Sequence, residues 1–506
     1  MPVGPFVFWS GGAGSAPPPI VSADRFSPKY LVGNFAAGDL AASTSLDGFI
    51  YIQDPGDASG VAVALTQPNG PGDVYVRPGL YSGAGTLTVP ANVRVVGAGS
   101  RLTQFNGFTF VMNAESSLES VAVDTDSDFC VRSVGGASGI VLQDLILRNS
   151  LGLGGVRLIG GGFATPFPLP ISIQRVYCYL SLVGQGLHIS DGVVTTVDTL
   201  RISGGVESIL SESDAVLIGR QIFTEASGIC VHFFGHTGLG STSIQDSQFF
   251  SDSTTIVVDD PTANVAFTRC VLRNTTGGTS MNFAGGTLSD SVFNQCEITS
   301  NGLGIENLSG SRVSFLDCDI SSQSGVSATL NVGTTSDVIV RGGFITNTGP
   351  AFSSSRPVTM ADLKVESTAG VTAALFSGPG GSAISNSTFV SSSAISGLSI
   401  DSPNNVFSNC RIQGIVSYTS NAVGNTATSL SADAIALGVP AIFVDGEANV
   451  FTALRTRTAL AIPGMALSLT SQNNIVTVLS ASGPGIGGLA VQDTGSGNEV
   501  AHVIST

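Results

Sequence analysis

Short apolar runs separated by turn-forming residues recur along the whole chain. Residues 72–99, GDVYVRPGLYSGAGTLTVPANVRVVGAG, contain three such runs, VYV, LTV and VRVV, with Pro78, Gly79 and Pro90 at the turns between them. Alternation of apolar and polar residues over a few positions is typical of β-strands with one buried face. The pattern therefore predicts three short strands joined by turns, which together form one coil of a solenoid.

A six-residue phrase repeats through most of the chain: apolar, any residue, turn former, small or apolar, any residue, apolar. Successive copies start 20 to 31 residues apart. A period of about two dozen residues is typical of a parallel β-helix, whereas propeller blades need roughly 40 residues and leucine-rich repeats need a consensus that is absent here. The copies begin at Leu142, Ile173, Val197, Leu217, Ile244, Phe267, Phe293, Phe315, Val340, Met360, Ile384 and Phe407.

Beyond the last copy, asparagines keep the same rhythm, because Asn425, Asn449, Asn474 and Asn498 lie 24, 25 and 24 residues apart. We therefore expect the coils to continue to the C-terminus. In a β-helix, equivalent residues of successive coils stack at the strand spacing of ~4.8 Å.

The third position of the phrase is predicted to be a tight bend between two strands. Its residues tolerate left-handed backbone angles. They are Asp144, Asp246, Asp317, Asp362, Asn386 and Asn409, together with Gly219 and Gly342.

The fourth position is predicted to point inward and carries Cys270, Cys296, Cys318 and Cys410. Stacked β-carbons would lie about one strand spacing apart, which exceeds the ~3.5–4.5 Å that a disulfide prefers. We predict a packing ladder of reduced cysteines.

The predicted fold class is all-β: a right-handed parallel β-helix of about 17 coils over residues 73–506. Residues 45–72 are predicted to form a linker and a short capping helix. Ala and Leu occur at near-helical spacing in SGVAVALTQP, residues 59–68. Such a helix would cover the open end of the solenoid, where backbone amides lack strand partners. Residues 1–44 are predicted to be an irregular N-terminal segment.

The charge balance disfavours two classes of partner. The chain has 506 residues, a formal net charge of −16 and only two lysines, Lys29 and Lys364. Nucleic acids and anionic membranes both need clustered basic residues, so neither is an expected partner. No apolar run approaches the ~18 residues of a membrane span, and the N-terminal stretch lacks the features of a secretory signal. The seven cysteines include no CxxC pair, so we expect no zinc site and no cofactor.

The stretch 72–99 and phrases such as FSNCRI resemble the pectate-lyase-like superfamily of right-handed parallel β-helices, especially bacteriophage tailspike, tail-fibre and other virion-surface proteins. The resemblance covers residues 45–506. It implies a virion structural protein (a tailspike, fibre or head-surface decoration), made in the host cytoplasm and located on the virion surface. It also implies a homotrimer whose β-helix binds the host surface or stabilises the particle.

Residues 1–44 are the predicted particle-attachment segment. Phe6, Phe8 and Trp9 precede a Gly/Ala/Ser stretch and a stiff triple proline. Exposed aromatic anchors of this kind usually bury against a partner, here other virion proteins. A segment that folds back onto its own β-helix is the alternative.

The alternative function is a polysaccharide depolymerase, either a lyase or a glycoside hydrolase, on the same scaffold. The candidate catalytic acids are Glu207, Glu212, Asp214 and Glu225, which cluster with Arg220, His232 and His236. A hydrolase needs carboxyl pairs roughly 5–10 Å apart, and neighbouring coils could supply them. A solvated turn face explains the same residues, and one Trp and seven Tyr offer few platforms for sugar stacking. A secreted adhesin is a third possibility.

The segment DTDSD contains Asp124, Asp126 and Asp128, a compact acidic loop that could ligate a calcium ion. Separately from this segment, a host surface glycan is a candidate partner of the β-helix. It lacks the later Gly and Glu of an EF-hand loop. A solvated turn is the simpler interpretation.

Overall fold

The computed structural model is a parallel β-solenoid of about 18 turns with a single helix in its described part, which confirms the predicted fold class. It describes residues 29–35, 49–66, 72–136, 138–161, 169–181, 183–259, 262–283, 285–333, 336–369, 371–391, 396–434, 439–458, 462–483 and 490–505.

The helix α1 spans Ser59–Leu65. The described residues also form fifty strands, which are numbered in the order in which they occur along the chain. The first twenty-five are β1 (Lys29–Gly33), β2 (Phe49–Gln53), β3 (Gly72–Val76), β4 (Gly79–Val89), β5 (Val93–Gly97), β6 (Thr103–Met112), β7 (Ser117–Glu119), β8 (Ala122–Thr125), β9 (Phe129–Ser133), β10 (Val141–Asn149), β11 (Gly154–Ile159), β12 (Ile171–Leu180), β13 (Gln185–Ser190), β14 (Val194–Ser203), β15 (Glu207–Glu212), β16 (Val216–Ala226), β17 (Ile229–Phe234), β18 (Thr237–Gln245), β19 (Gln248–Ser251), β20 (Thr254–Asp259), β21 (Thr262–Thr268), β22 (Val271–Asn274), β23 (Thr279–Asn282), β24 (Leu288–Asn294) and β25 (Glu297–Ser300).

The remaining strands are β26 (Leu303–Leu308), β27 (Gly310–Ser322), β28 (Leu330–Val332), β29 (Ser336–Asn347), β30 (Phe352–Ser354), β31 (Val358–Ala361), β32 (Lys364–Ser367), β33 (Ala374–Ser377), β34 (Ala383–Ser385), β35 (Thr388–Ser391), β36 (Ser396–Asp401), β37 (Val406–Ser408), β38 (Arg411–Gln413), β39 (Ile415–Tyr418), β40 (Thr426–Thr428), β41 (Ser431–Ala434), β42 (Ile442–Val444), β43 (Val450–Thr452), β44 (Leu454–Thr458), β45 (Met465–Leu467), β46 (Ile475–Val476), β47 (Leu479–Ser482), β48 (Val491–Asp493), β49 (Glu499–Val500) and β50 (Val503–Ser505).

Each coil contributes to three parallel faces, because every strand pairs with the strand one coil away. The first face lies before the bend and runs through β3, β5 and β7 to β49. The prediction that VYV and VRVV belong to one coil is wrong, because these runs form β3 and β5, which pair with each other and therefore lie on the same face in successive coils. The second face follows the bend and includes β8, β19, β22, β25 and β32. The third face runs through β9, β11, β13, β15, β17 and β20 to β48. Long strands such as β10, β27 and β29 turn the bend and belong to the first two faces.

The bend between the first two faces is left-handed, as predicted. Asp144 and Asp317 have φ angles of 53° and 51°, and Gly342 has a φ of 69°. The prediction that Gly219 lies at the bend is wrong, because Gly219 pairs with Val197 inside a strand and has no positive φ. The bend of that coil lies two residues later, at Gln221, whose φ is 54°. The phrase starting at Leu217 is therefore out of register with the other copies.

The core of the solenoid is a set of side-chain stacks along its axis. The rings of Phe267 and Phe293 stack at 5.5 Å between centroids, and those of Phe293 and Phe315 at 5.1 Å. Like residues stack because equivalent positions of successive coils are hydrogen-bonded neighbours. The core is continuous from the N-terminal helix to the last coils.

All seven cysteines are buried and free, which confirms the predicted reduced ladder. The thiols of the four predicted ladder cysteines donate to backbone carbonyls of the preceding coil, as Cys296 does to Phe267 O at 3.4 Å and Cys318 to Phe293 O at 3.2 Å. Burial raises the pKa of Cys178 to about 12, so this thiol stays protonated and unreactive.

A buried asparagine ladder runs through the C-terminal coils. The Oδ1 of Asn449 accepts hydrogen bonds from the backbone N–H of Asn425 at 2.9 Å and from its Nδ2 at 3.0 Å. Asn474 accepts the same pair of bonds from Asn449, and Asn498 accepts them from Asn474. The predicted asparagine rhythm is thus a continuous hydrogen-bonded column, and the repeat reaches the C-terminal coils.

The N-terminal end is covered by α1, as predicted, and by two further strands. Asp54 is fully buried and its carboxylate accepts hydrogen bonds from the N–H groups of Gly56, Ala58 and Val61. The strand β1 lies between β2 and β3 and pairs with both, although it belongs to the segment 1–44. Phe6, Phe8 and Trp9 lie outside the described residues. No helix of the described chain is long and apolar enough to cross a membrane.

Candidate functional site

The densest group of acids and histidines lies on the third face, on strands β13, β15, β17 and β20. Strand pairing aligns His188 with Leu210 and Leu210 with His232, one residue per coil. Two residues further along these strands, a second set of aligned outward positions contains Glu212, Phe234 and Asp259. Inward residues alternate with these positions, so polar side chains of successive coils contact one another outside the core.

His232 lies between two carboxylates. Its Nδ1 is 2.7 Å from Glu207 Oε1 and its Nε2 is 3.0 Å from Asp259 Oδ2. Burial alone would lower the pKa of His232, but the hydrogen bonds and charges of Glu207 and Asp259 outweigh it and raise the pKa. The hydrogen bond from His232 in turn holds the pKa of Glu207 below its usual range. Two carboxylate acceptors favour the protonated imidazole, in which both nitrogens are donors.

Two neighbouring residues extend this network. Gln185 donates from Nε2 to Glu207 Oε2 at 2.8 Å, so Glu207 joins three successive coils. His188 is buried and contacts Glu212, with 2.8 Å between Nε2 and Oε2. Each carboxylate therefore accepts hydrogen bonds from a side chain in a neighbouring coil.

Asp214 lies in the turn that follows β15, and its environment differs from that of Glu207 and Glu212. Its carboxylate accepts hydrogen bonds from the N–H groups of Thr237 at 2.6 Å and Gly240 at 3.3 Å, and from the Thr237 hydroxyl. Burial alone would raise the pKa of Asp214, but these hydrogen bonds outweigh it and lower the pKa. His236 donates to the carbonyl of Ser211 at 2.9 Å, and burial lowers its pKa.

The structure brings together only part of the predicted acid group. Glu207 and Glu212 share β15, but each carboxylate is held by a histidine of a different neighbouring coil, Glu207 by His232 and Glu212 by His188. Glu225 lies on β16 in the second face, where it pairs with Ser203 and Phe250. Glu207 and Asp259 do lie on one network, but the imidazole of His232 occupies the space between them.

A groove of about 650 Å³ adjoins Glu207 on the third face. Its polar lining includes Arg157, Gln185, His188 and Glu207. Four exposed aliphatic side chains form its rim: Leu151 (74% exposed), Leu153 (56%), Val183 (54%) and Val206 (46%).

Sequence reasoning missed Gln185, His188, Asp259 and the aliphatic rim. The coil length is the signal that could have found such contacts. The two partners of Glu207 in the adjacent coils, Gln185 and His232, lie 22 and 25 residues from it, which is about one coil in each direction.

Two of the three aspartates of the DTDSD segment have separate partners. Asp126 accepts a hydrogen bond from the Ser150 hydroxyl. Asp128 lies 3.2 Å from Arg132 Nε. Burial raises the pKa of Asp124. Across the described residues, no group of three or more His, Cys, Asp or Glu side chains could hold a metal ion.

No protein-family model matches the chain, and no curated protein matches it. Among solved structures, the chain is similar to the A-module of mannuronan C-5 epimerase AlgE4 from Azotobacter vinelandii (14% identity, 88% of this chain, 94% of that chain, TM-score 0.21). It is also similar to the catalytic unit of a GH87 α-1,3-glucanase from Streptomyces thermodiastaticus (13%, 88%, 66%, 0.25). A third similar structure is ORF18 of Geobacillus virus E2 (12%, 87%, 58%, 0.17). Identities and TM-scores this low carry no argument about the function of this chain.

Proposed function

We propose that this protein is a bacteriophage virion structural protein, a tailspike, fibre or head-surface decoration, whose β-helix projects from the particle. There it binds the host surface or stabilises the particle. The observation that carries the proposal is the use of Glu207, Glu212 and His232 as hydrogen-bonded links between coils. Side chains that are hydrogen-bonded across coils stiffen the solenoid. At ~4.8 Å per coil, its roughly 18 coils form a rod on the order of 85 Å long.

In this proposal residues 1–44 attach the protein to other virion proteins through Phe6, Phe8 and Trp9. The assembled protein is a homotrimer on the virion surface, in line with the closed symmetry of most homo-oligomers. The aliphatic rim of Leu151, Leu153, Val183 and Val206 is the kind of exposed apolar surface that a neighbouring subunit buries.

Purified particles test this proposal. We expect antibodies against the β-helix to label intact particles, and we expect a chain lacking residues 2–20 to fold but not to join them. Incorporation of the truncated chain at normal copy number would contradict the attachment role of the N-terminus. Light scattering of the full chain tests the trimer, because a mass near the 51.2 kDa of one chain would exclude it.

The second candidate is a polysaccharide depolymerase, favoured by the groove beside Glu207. Its test is release of reducing or unsaturated sugar ends from host surface polysaccharide. We expect none from the wild type, and we expect the variant with Glu207→Gln, Glu212→Gln and Asp214→Asn to retain particle assembly. Sugar release by the wild type that is lost in this variant would replace the structural proposal.

A further inference from the structure

The aliphatic rim lies at the corner between the second and third faces and extends over three successive coils. Leu151 and Leu153 lie between β10 and β11, Val183 between β12 and β13, and Val206 between β14 and β15. Surface turns are usually built from Gly, Pro, Asn, Asp and Ser. The next coil follows that rule, with Ser227 at this corner. The rim is therefore a short apolar column in a series of otherwise polar turns.

Backbone hydrogen bonds keep the rim in register from coil to coil. The N–H of Gln185 donates to the carbonyl of Leu153 at 2.9 Å, and the N–H of Val206 donates to that of Gly184 at 3.0 Å. The turns therefore stack at about the strand spacing of 4.8 Å. A column parallel to the solenoid axis can lie along a rotation axis of the same direction, which would bring copies of the chain together at equal height.

On the third-face side of the rim lies the groove of about 650 Å³. Arg157 lines it, with its guanidinium carbon 5.9 Å from the centre of the Phe129 ring. Within the described chain, Arg157 forms neither an ion pair nor a hydrogen bond, whereas the aligned Arg132 lies 3.2 Å from Asp128. This flank thus offers a cation without a partner beside an apolar rim.

On the second-face side of the rim, Tyr177 and Tyr179 project from β12, and both are exposed. Among the described residues, their hydroxyls have no hydrogen-bond partner. Arg148 precedes Tyr179 in the same outward column, and the aligned carboxylate of Asp124 in the coil before offsets its charge. This flank presents aromatic rings and phenol oxygens, which a guanidinium contacts by cation–π attraction and by hydrogen bonding.

The two flanks complement each other at nearly the same height. Because β12 begins the coil after that of β11, Tyr179 and Arg157 differ by about one strand spacing along the axis. Around a cyclic symmetry axis, equal residues of different copies meet at the centre, while one flank of each copy meets the opposite flank of the next. The rim is apolar and suits the centre, and the flanks are unlike and suit each other. This arrangement favours a second copy of the chain over an unrelated partner.

We propose that the aliphatic rim lies on the symmetry axis of the homotrimer and that Tyr179 of each copy enters the groove of the next copy, beside Arg157. The solenoids then lie parallel, with their N-terminal ends on the same side. The proposal rests on the proposed function for the number of copies, but it does not require the protein to lie on a particle. The neighbouring copy supplies the partner that the cation of the groove lacks.

Cysteine cross-linking of the full chain tests the parallel arrangement. In Val183→Cys, equal residues of neighbouring copies would meet at the axis, so mild oxidation should give a disulfide-linked pair of chains on a non-reducing gel. Ile218→Cys is the matched control, because Ile218 is similarly exposed (48% against 54% for Val183) but lies on the first face. It should give no linked pair. The seven native cysteines are buried and should form none either.

Light scattering tests the contacts themselves. We expect the wild type at three times the 51.2 kDa of one chain, and Val183→Asp at the mass of one chain, because like charges would meet at the axis. Tyr179→Ala and Arg157→Gln should each raise the concentration at which the trimer dissociates by about tenfold or more. Ile218→Asp should keep the wild-type mass. Circular dichroism should be the same in all of these variants, since none of the replaced side chains is buried.

A wild-type trimer that Val183→Asp leaves intact overturns the proposal and leaves the trimer itself standing, as does a trimer in which Val183→Cys forms no linked pair. A wild-type mass of 51.2 kDa overturns both the proposal and the trimer. A trimer that responds to the variants as expected but is absent from particles supports the proposal and contradicts only the virion role.

Discussion

Arg175 forms a two-bond ion pair with Asp144 of the preceding coil, with Nε 2.5 Å from Oδ1 and the second nitrogen 2.8 Å from Oδ2. Both residues occupy the left-handed bend, with φ angles of 51° and 53°. The same kind of pair joins Asp246 to Arg269 in two later coils. The bend therefore carries cross-coil ion pairs on the outside of the solenoid.

We predict that Arg175→Gln lowers the thermal midpoint slightly at low salt and has no measurable effect at high salt. The pair is exposed, and solvent and salt screen exposed pairs strongly. Arg175 lowers the pKa of Asp144, so its contribution is present above the ordinary aspartate pKa and is lost as the pH falls. Calorimetry at two salt concentrations checks this. An equal loss at both would mean that the side chain acts by packing.

His232→Gln should destabilise the protein by roughly 1 kcal/mol in mildly acidic buffer and by less in alkaline buffer. The pKa of His232 is raised in the folded protein, so its stabilising effect is complete below the unfolded value of about 6.5. The effect is lost as the pH rises through the folded pKa. Urea titrations at about pH 5.5 and about pH 8.5 measure the difference. His502→Gln, at an exposed position, is the control and should change the free energy of unfolding very little.

Ile320→Asp should cost several kcal/mol, because it buries a carboxylate without a partner among apolar side chains. Ile320 is 1% exposed and pairs with Ile298 and Ile345 of the adjacent coils. The control Ile320→Val should cost only about 0.5 to 1.5 kcal/mol. Denaturant midpoints give both values, and a far-UV spectrum dominated by helix in the wild type would contradict the fold itself.

Asn449→Ala should cost about 2 to 4 kcal/mol, because it leaves buried donors and an acceptor of the ladder unpaired. Its side chain accepts from Asn425 and donates to Asn474 Oδ1 and to the carbonyl of Ala422. Asn421→Ala removes an exposed side chain that, among the described residues, bonds only to Asp401, and it should cost far less. Similar unfolding free energies for the two variants would show that the ladder adds no stability.

The fold could be predicted from the sequence because one coil occupies a nearly constant number of residues. That regularity located the bends at Asp144 and Asp317 and the inward cysteines. It failed at Gly219, where Leu217 and Ile218 are both apolar and the strand runs two residues further before it bends.

The partners of Glu207 could not be predicted to the same degree. Contacts between coils depend on register, and the spacing of the repeated phrase varies from 20 to 31 residues. Asp259 precedes Asp260 and Pro261 and has the sequence of an ordinary turn, yet the register of β17 and β20 brings it to His232. The aliphatic rim belongs to loops, whose course the repeat does not specify.

The position of β1 between β2 and β3 determines how the solenoid would respond to a pull on its N-terminus. An edge strand that is peeled from a sheet loses its hydrogen bonds one at a time. β1 is bonded along both sides, from Lys29 to Gly33 on β2 and from Lys29 to Val32 on β3. A pull along this strand must shear both ladders at once, so mechanical load on the N-terminal segment would be shared by two strands before any coil unwinds.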